Sequence, residues 1–191
     1  MRPSPQDPEQ TELATGFTVG DYKTSRQAQD RQKIAEAIRK RFTERYINPA
    51  GADTPHKHGF TMMAISCLMI EALESFRQGW TTSDGQSKAA FCFFFDDADA
   101  FGGFRGHGQQ FYKNIRCGIL HQAETTGGWR VVRIGPLFDP GTLTVNAALF
   151  LETLEHVLDG FCNELKTAAW DSVAWKKVRK KMDAICANCR R

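Results

Sequence analysis

The sequence lacks any uninterrupted apolar run long enough to cross a bilayer. Its longest apolar stretch, Phe60 to Leu73, carries Ser66 and Glu71 and stops short of the ~20 residues a membrane helix needs. The N-terminus also lacks the apolar segment that follows a charged start in a secretion signal, since Pro3, Pro5, Pro8 and three acids precede Leu13. No membrane span is therefore expected, and the protein is expected to be cytoplasmic. Six cysteines could in principle pair, but Cys67, Cys92, Cys117 and Cys162 fall inside apolar helical patterns, where a reduced thiol behaves as a small hydrophobe. A disulfide scaffold is therefore not expected. No internal repeat is present, and strand-like alternation is confined to Trp129–Ile134. With 41% apolar and 25% charged residues, the composition is that of an ordinary folded chain rather than a disordered or fibrous one.

What the sequence has in quantity is amphipathic helix. Ile34, Ile38, Phe42 and Tyr46 repeat every four residues between basic side chains, which predicts a helix over about 25–46 ended by Asn48-Pro49-Ala50-Gly51. A more buried helix follows from about Phe60 to Gln78 with Gly79 as its cap, then a shorter one after Ser87 and another over about Gln109–Gln122. Val145, Leu149, Leu154, Leu158, Phe161 and Leu165 mark a long helix over about 142–166, and a last one, capped by Asp171, carries Trp175, Val178, Met182 and Ile185. The expected fold is all-α, a bundle of about five to six helices with at most one short β-hairpin. Residues 1–22 are too polar to offset their ordering entropy and are expected to form a flexible arm. Residues 23–191 form the helical domain, with the core bundle over about 25–167 and a basic helix over about 170–187.

Charge is unevenly placed. Residues 166–191 hold eight Lys and Arg against two acids, whereas residues 46–165 hold eight against thirteen. A basic terminal helix attracts phosphate backbones by charge and counterion release, which makes Lys176, Lys177, Arg179, Lys180 and Lys181 the candidate RNA-binding residues. A solvated helix face explains such a run equally well.

Several other constellations carry little chemistry. Phe101-Gly-Gly-Phe-Arg-Gly-His-Gly108 lacks the preceding strand and the Lys-Ser/Thr of a phosphate loop and reads as a flexible connector. Cys186 and Cys189 have the spacing of half a zinc knuckle, but His56 and His58 are 130 residues away, so no metal is expected. Asp96, Asp97 and Asp99 lack the spacing of a calcium loop. No cofactor is expected.

The segment with the best chemical prospects is Phe111-Tyr-Lys-Asn-Ile-Arg-Cys-Gly-Ile-Leu-His121. It places a guanidinium, suited to phosphate oxygens, and an imidazole, suited to proton transfer near neutral pH, toward the end of one apolar helix. Five residues at about 100° each set Arg116 and His121 roughly 140° apart around the axis. One helix alone makes a poor site. Two copies meeting across a two-fold axis would line a shared groove with both groups.

An Arg, four residues and a His at the end of a bundle helix resemble the signature of the HEPN (higher eukaryotes and prokaryotes nucleotide-binding) superfamily. The resemblance covers six residues in motif and about 25–167 in architecture. It implies a homodimeric, metal-independent endoribonuclease, a toxin or phage-defence effector in which the RNA 2′-hydroxyl attacks the scissile phosphate, and a regulatory protein partner is compatible with that role. By the same resemblance Arg116 stabilises the phosphorane charge and His121 is the general acid or base, with Tyr112 and Cys117 in support. Active members commonly carry Asn or Asp after the Arg, where this chain has Cys117. The alternative is a non-catalytic helical module that binds a nucleotide, RNA or protein. In that case His121 only caps the helix end and Arg116 only pairs with an acid such as Glu71 or Glu74.

Overall fold

In a computed structural model, which describes residues 7–52 and 58–189, the chain is predominantly helical. The central rod is α4, Gly59–Gln78, which packs against α5 (Ser87–Asp97), α8 (Ala147–Thr167) and α9 (Val173–Asn188). Its apolar side chains on several faces, Met63, Cys67, Met69, Ile70 and Leu73 among them, are fully buried, as expected of a helix covered all round. Taken over its 20 residues, α4 is, among the described residues, the one helix long and apolar enough to cross a membrane by length and composition, which corrects the shorter stretch read from the sequence; 61% of its most apolar 18 residues is buried inside the fold. It ends at Gly79, which adopts φ +68°, and a Cβ there would stand 2.9 Å from the Lys177 Cα. Glycine thus supplies both the left-handed cap and the close approach of α9.

The all-α class holds, but helices are more numerous than the sequence periodicity suggests. The region from Ser25 to Tyr46 divides into α1 (Val19–Gln27) and α2 (Arg31–Phe42), with Asp30 capping the second through Lys33 N at 2.9 Å. A π-helical turn, Thr43–Ile47, then leads into the short α3, Asn48–Gly51. Ser172, not Asp171, caps α9, its hydroxyl accepting from Trp175 N. Strands also exceed one hairpin. β1 (Glu12–Ala14) and β2 (Phe17–Thr18) pair antiparallel, while β3 (Arg130–Val132), β4 (Phe138–Asp139) and β5 (Thr144–Asn146) form a sheet in the order β3-β5-β4, with β3 parallel to β5. The predicted start of the long helix near Thr142 is therefore a turn followed by strand β5, and α8 starts only at Ala147.

Two expectations are corrected by packing. Residues 7–22 are not a loose arm: Leu13, Phe17, Val19 and Tyr22 are buried, and β1 lies on α2. A Thr18–Asp21 capping box opens α1, and the Tyr22 hydroxyl donates to Asp183 at 3.1 Å. A few well-placed apolar side chains suffice because β1 packs on α2 while α1 carries Val19 and Tyr22 into the core. The glycine-rich connector is likewise packed. Asp99–Phe104 forms a 3-10 helix whose Phe101 and Phe104 are fully buried in an aromatic cluster with Phe91, Phe94, Phe95 and Phe150.

Asn146 joins the small sheet to α8. Its Oδ1 accepts from Ala148 N and Leu149 N at 3.1 and 3.2 Å, and its Nδ2 donates to the Gly135 carbonyl at 2.8 Å, at 2% exposure. Asn146→Ala is expected to cost about 2 kcal/mol. For a chain of this size that is a fall of roughly 4–8 °C in the thermal midpoint, measurable by circular dichroism.

Candidate functional site

The helix that carries the candidate site is not a regular α-helix. It runs as α6 (Gly108–Phe111), a π-helical turn (Tyr112–Arg116) and α7 (Cys117–Gln122), with Cys117 N donating to the Tyr112 carbonyl five residues back. Phe111 and Ile115 are fully buried and anchor it. The return loop is laid against the bulge: Thr126 N donates to the Asn114 carbonyl at 3.0 Å, and its hydroxyl donates to Asn114 Oδ1 at 2.9 Å. Helix α7 stops at Ala123, which takes φ +55° and donates to the Gly118 carbonyl. A Cβ on Gly118 would stand 2.5 Å from the Glu124 carbonyl oxygen. Glycine beside Cys117 is thus what lets the chain fold back over the helix. Insertions of the π type recur at functional sites.

The bulge turns Arg116 inward to α4. Its Nε donates to Glu71 Oε1 at 2.8 Å, with 17% of the Arg116 side chain and 9% of the Glu71 side chain exposed. The other carboxylate oxygen of Glu71 accepts from the Ser87 hydroxyl at 2.7 Å, at the start of α5. The guanidinium carbon lies 5.7 Å from the centre of the Tyr112 ring, one turn away. Three helical segments therefore meet on one ion pair. Burial acts to lower the Arg116 pKa, but the hydrogen bond and charge of Glu71 outweigh it and hold the value above its ordinary level. The Tyr112 phenol is raised by its hydrogen bond with Cys117 and then by burial.

Because Glu71 takes Nε, the terminal nitrogens of Arg116 are left over. Among the described residues no hydrogen bond engages Nη1 or Nη2. A guanidinium held at its base by a carboxylate keeps a fixed two-pronged donor for a tetrahedral anion.

The structure brings Tyr112, Arg116 and Cys117 together and leaves His121 apart. His121 is exposed in the last turn of α7, next to Leu120 with 39% exposure. Among the described residues no hydrogen bond or ion pair links it to Arg116. Arg116 is held inward on Glu71 while His121 is exposed, so the two side chains lie apart within one protomer. Glu71, one of the two acids considered as partners, is the one used. Glu74 instead accepts from Arg77 and Gln78, each at 3.2 Å. Ser87 has no sequence signal beyond its place at a helix start.

The five basic residues of α9 do not form one free track. Lys177 donates to Gln78 at 3.3 Å, Lys181 donates to the Thr81 carbonyl at 3.3 Å, and the Arg179 guanidinium lies 4.5 Å from the centre of the Trp170 ring. Lys176 and Lys180 are exposed. Of the two thiols at the end of α9, Cys186 is buried and Cys189 donates to the Ile185 carbonyl. His56 lies outside the described residues, and His58 sits at the start of α4. Among the described residues no group of three His, Cys, Asp or Glu side chains is placed to hold a metal ion.

No family model, no curated protein and no solved structure matches this chain.

Proposed function

We propose that the chain is a HEPN-like, metal-independent endoribonuclease that works as a homodimer, in the cytoplasm, as a toxin or phage-defence effector under a regulatory protein partner. The observation that carries this reading is the presentation of Arg116: Nε fixed by Glu71, Glu71 fixed by Ser87, and the terminal nitrogens unengaged among the described residues. Arg116 and His121 point to different sides of one helix. The reading therefore pairs Arg116 of one protomer with the partner's His121 across a two-fold axis. In that groove the RNA 2′-hydroxyl gives up its proton and attacks phosphorus, Arg116 stabilises the extra negative charge, and the 5′-oxygen leaves with a proton. His121 is the group that moves protons.

A second reading is favoured by the same ion pair. Glu71 neutralises Arg116, and Cys117 stands where active relatives of the resembled family carry a polar residue. A non-catalytic module that holds RNA, a nucleotide or a protein fits that arrangement as well.

The test is to incubate wild-type protein with an end-labelled structured RNA in EDTA and identify the product ends. The proposal expects 2′,3′-cyclic phosphate and 5′-hydroxyl ends. No cleavage, or ends with 5′-phosphate, overturns it in favour of the second reading or of a different chemistry.

RNA contact should depend on the two exposed lysines of α9. Replacing Lys176 and Lys180 together with Gln is expected to reduce the slope of log K against log salt by about 1.4, at about 0.7 per single-strand phosphate contact. Filter binding across a salt series measures it, and an unchanged slope removes α9 from the interface.

A further inference from the structure

A second site lies where α2, α4 and α9 come together. A cleft of about 340 Å³ is bordered there by Arg41, Phe42, Tyr46, Leu68, Glu71 and Lys181. Its two cations have carbonyls as partners and no carboxylate. Arg41 Nη1 donates to the Leu13 carbonyl at 2.6 Å, and Lys181 Nζ donates to the Thr81 carbonyl at 3.3 Å. Arg45 reaches the same Leu13 carbonyl at 3.5 Å. Among the described residues no ion pair neutralises any of the three. Glu71 is the one carboxylate on the cleft wall, and its oxygens are already taken by Arg116 and Ser87.

Electrostatics and burial agree that these charges are uncompensated. Arg41 is held below its ordinary pKa first by burial and then by Arg45, and Lys181 first by burial and then by Arg41. A partly buried pair of like charges is costly unless an anion sits with it. Apart from Ser75 and Ser83 the rest of the wall is apolar and aromatic: the Phe42 and Tyr46 ring centres lie 5.6 Å apart, and Leu68 is 43% exposed. The volume falls at the lower end of small-molecule sites, about 300–1,000 Å³. The lining thus offers two cations to a doubly charged oxyanion and aromatic and apolar side chains to a ring.

We propose that this cleft binds a small aromatic phosphate monoester, with the phosphate on Arg41 and Lys181 and the ring against Tyr46 and Leu68. The site is independent of the ribonuclease reading and stands or falls without it.

The experiment titrates the full-length protein with phenyl phosphate, inorganic phosphate and phenol, followed by amide and side-chain NMR shifts of α2 and α9. Phenyl phosphate is expected to bind about tenfold more tightly than either fragment, because charge and ring contacts each contribute about a factor of ten. Lys181→Gln is expected to weaken phenyl phosphate about tenfold, while Lys88→Gln, exposed on α5, leaves it unchanged. Arg41→Gln should do the same as Lys181→Gln. Because Arg41 also holds Leu13, Lys181→Gln decides the matter where Arg41→Gln melts early. Equal affinity for phenyl phosphate and inorganic phosphate, equal binding by wild type and Lys181→Gln, or no binding of phenyl phosphate overturns the assignment.

Discussion

Replacing His121 with alanine is expected to slow RNA cleavage by about a hundredfold to ten-thousandfold, the range for loss of a general acid or base, while the melting temperature stays in place. The two readouts separate because His121 is exposed at the end of α7, and substitutions at such positions usually change stability by no more than about 0.5 kcal/mol. Arg116 behaves differently. Arg116→Ala removes the partner of Glu71, a carboxylate whose side chain is 9% exposed, so it lowers stability as well as cleavage. Arg116→Lys keeps the charge next to Glu71 but loses the planar fork. It should fold like the wild type and cleave at least about tenfold more slowly. Single-turnover cleavage with melting curves on the same preparations distinguishes these cases. If His121→Ala cleaves like the wild type, the imidazole has no part in the reaction.

Phe111→Ala is expected to cost about 3–5 kcal/mol, the range for truncating a buried aromatic. Phe111 is fully buried where the site helix meets the aromatic cluster. Its ring stacks on Phe150 at 5.5 Å and on Phe91 at 5.6 Å, and meets Phe95 at 5.0 Å and Trp129 at 5.7 Å edge to face. Neighbours from α5, α8 and the loop before β3 cannot all move into the vacated space. Against a total stability of about 5–15 kcal/mol, a loss of this size threatens the fold. Chemical denaturation of Phe111→Ala beside Phe111→Leu measures it, and the leucine variant should recover much of the difference. A loss below about 1 kcal/mol would show that the cluster is loosely packed.

How much of this was legible in the sequence depends on whether the signal was local. The rod α4 and its Gly79 cap were legible because both follow from periodicity and one glycine. Arg116 meeting an acid of α4 was legible as one alternative, since Glu71 and Glu74 both lie on that helix, but choosing between them required the packing of α5, which brings Ser87 onto Glu71. The π-turn at Tyr112–Arg116 left no trace in periodicity, because one inserted residue among Phe111, Ile115 and Gly118 still reads as helix. The N-terminal residues were misjudged for a related reason. Leu13, Phe17, Val19 and Tyr22 are few, but the β1–β2 hairpin and α1 bury all four, and average composition does not register that. Phe101 and Phe104 were hidden among glycines, and their partners lie both in the preceding helix, at Phe95, and far along the chain, at Phe150. In α9 the composition was clear, but the loss of Lys177, Arg179 and Lys181 to neighbouring groups is a tertiary effect.

The most direct measurement mixes Arg116→Ala and His121→Ala proteins, exchanges their subunits, and assays RNA cleavage in EDTA. Pairing Arg116 with the partner's His121 leaves each mixed dimer one groove with both groups intact, so cleavage should return to about one quarter of the wild-type rate when half of the dimers are mixed. Mixed dimers that form and cleave no better than either variant alone would contradict a site shared across the two-fold axis.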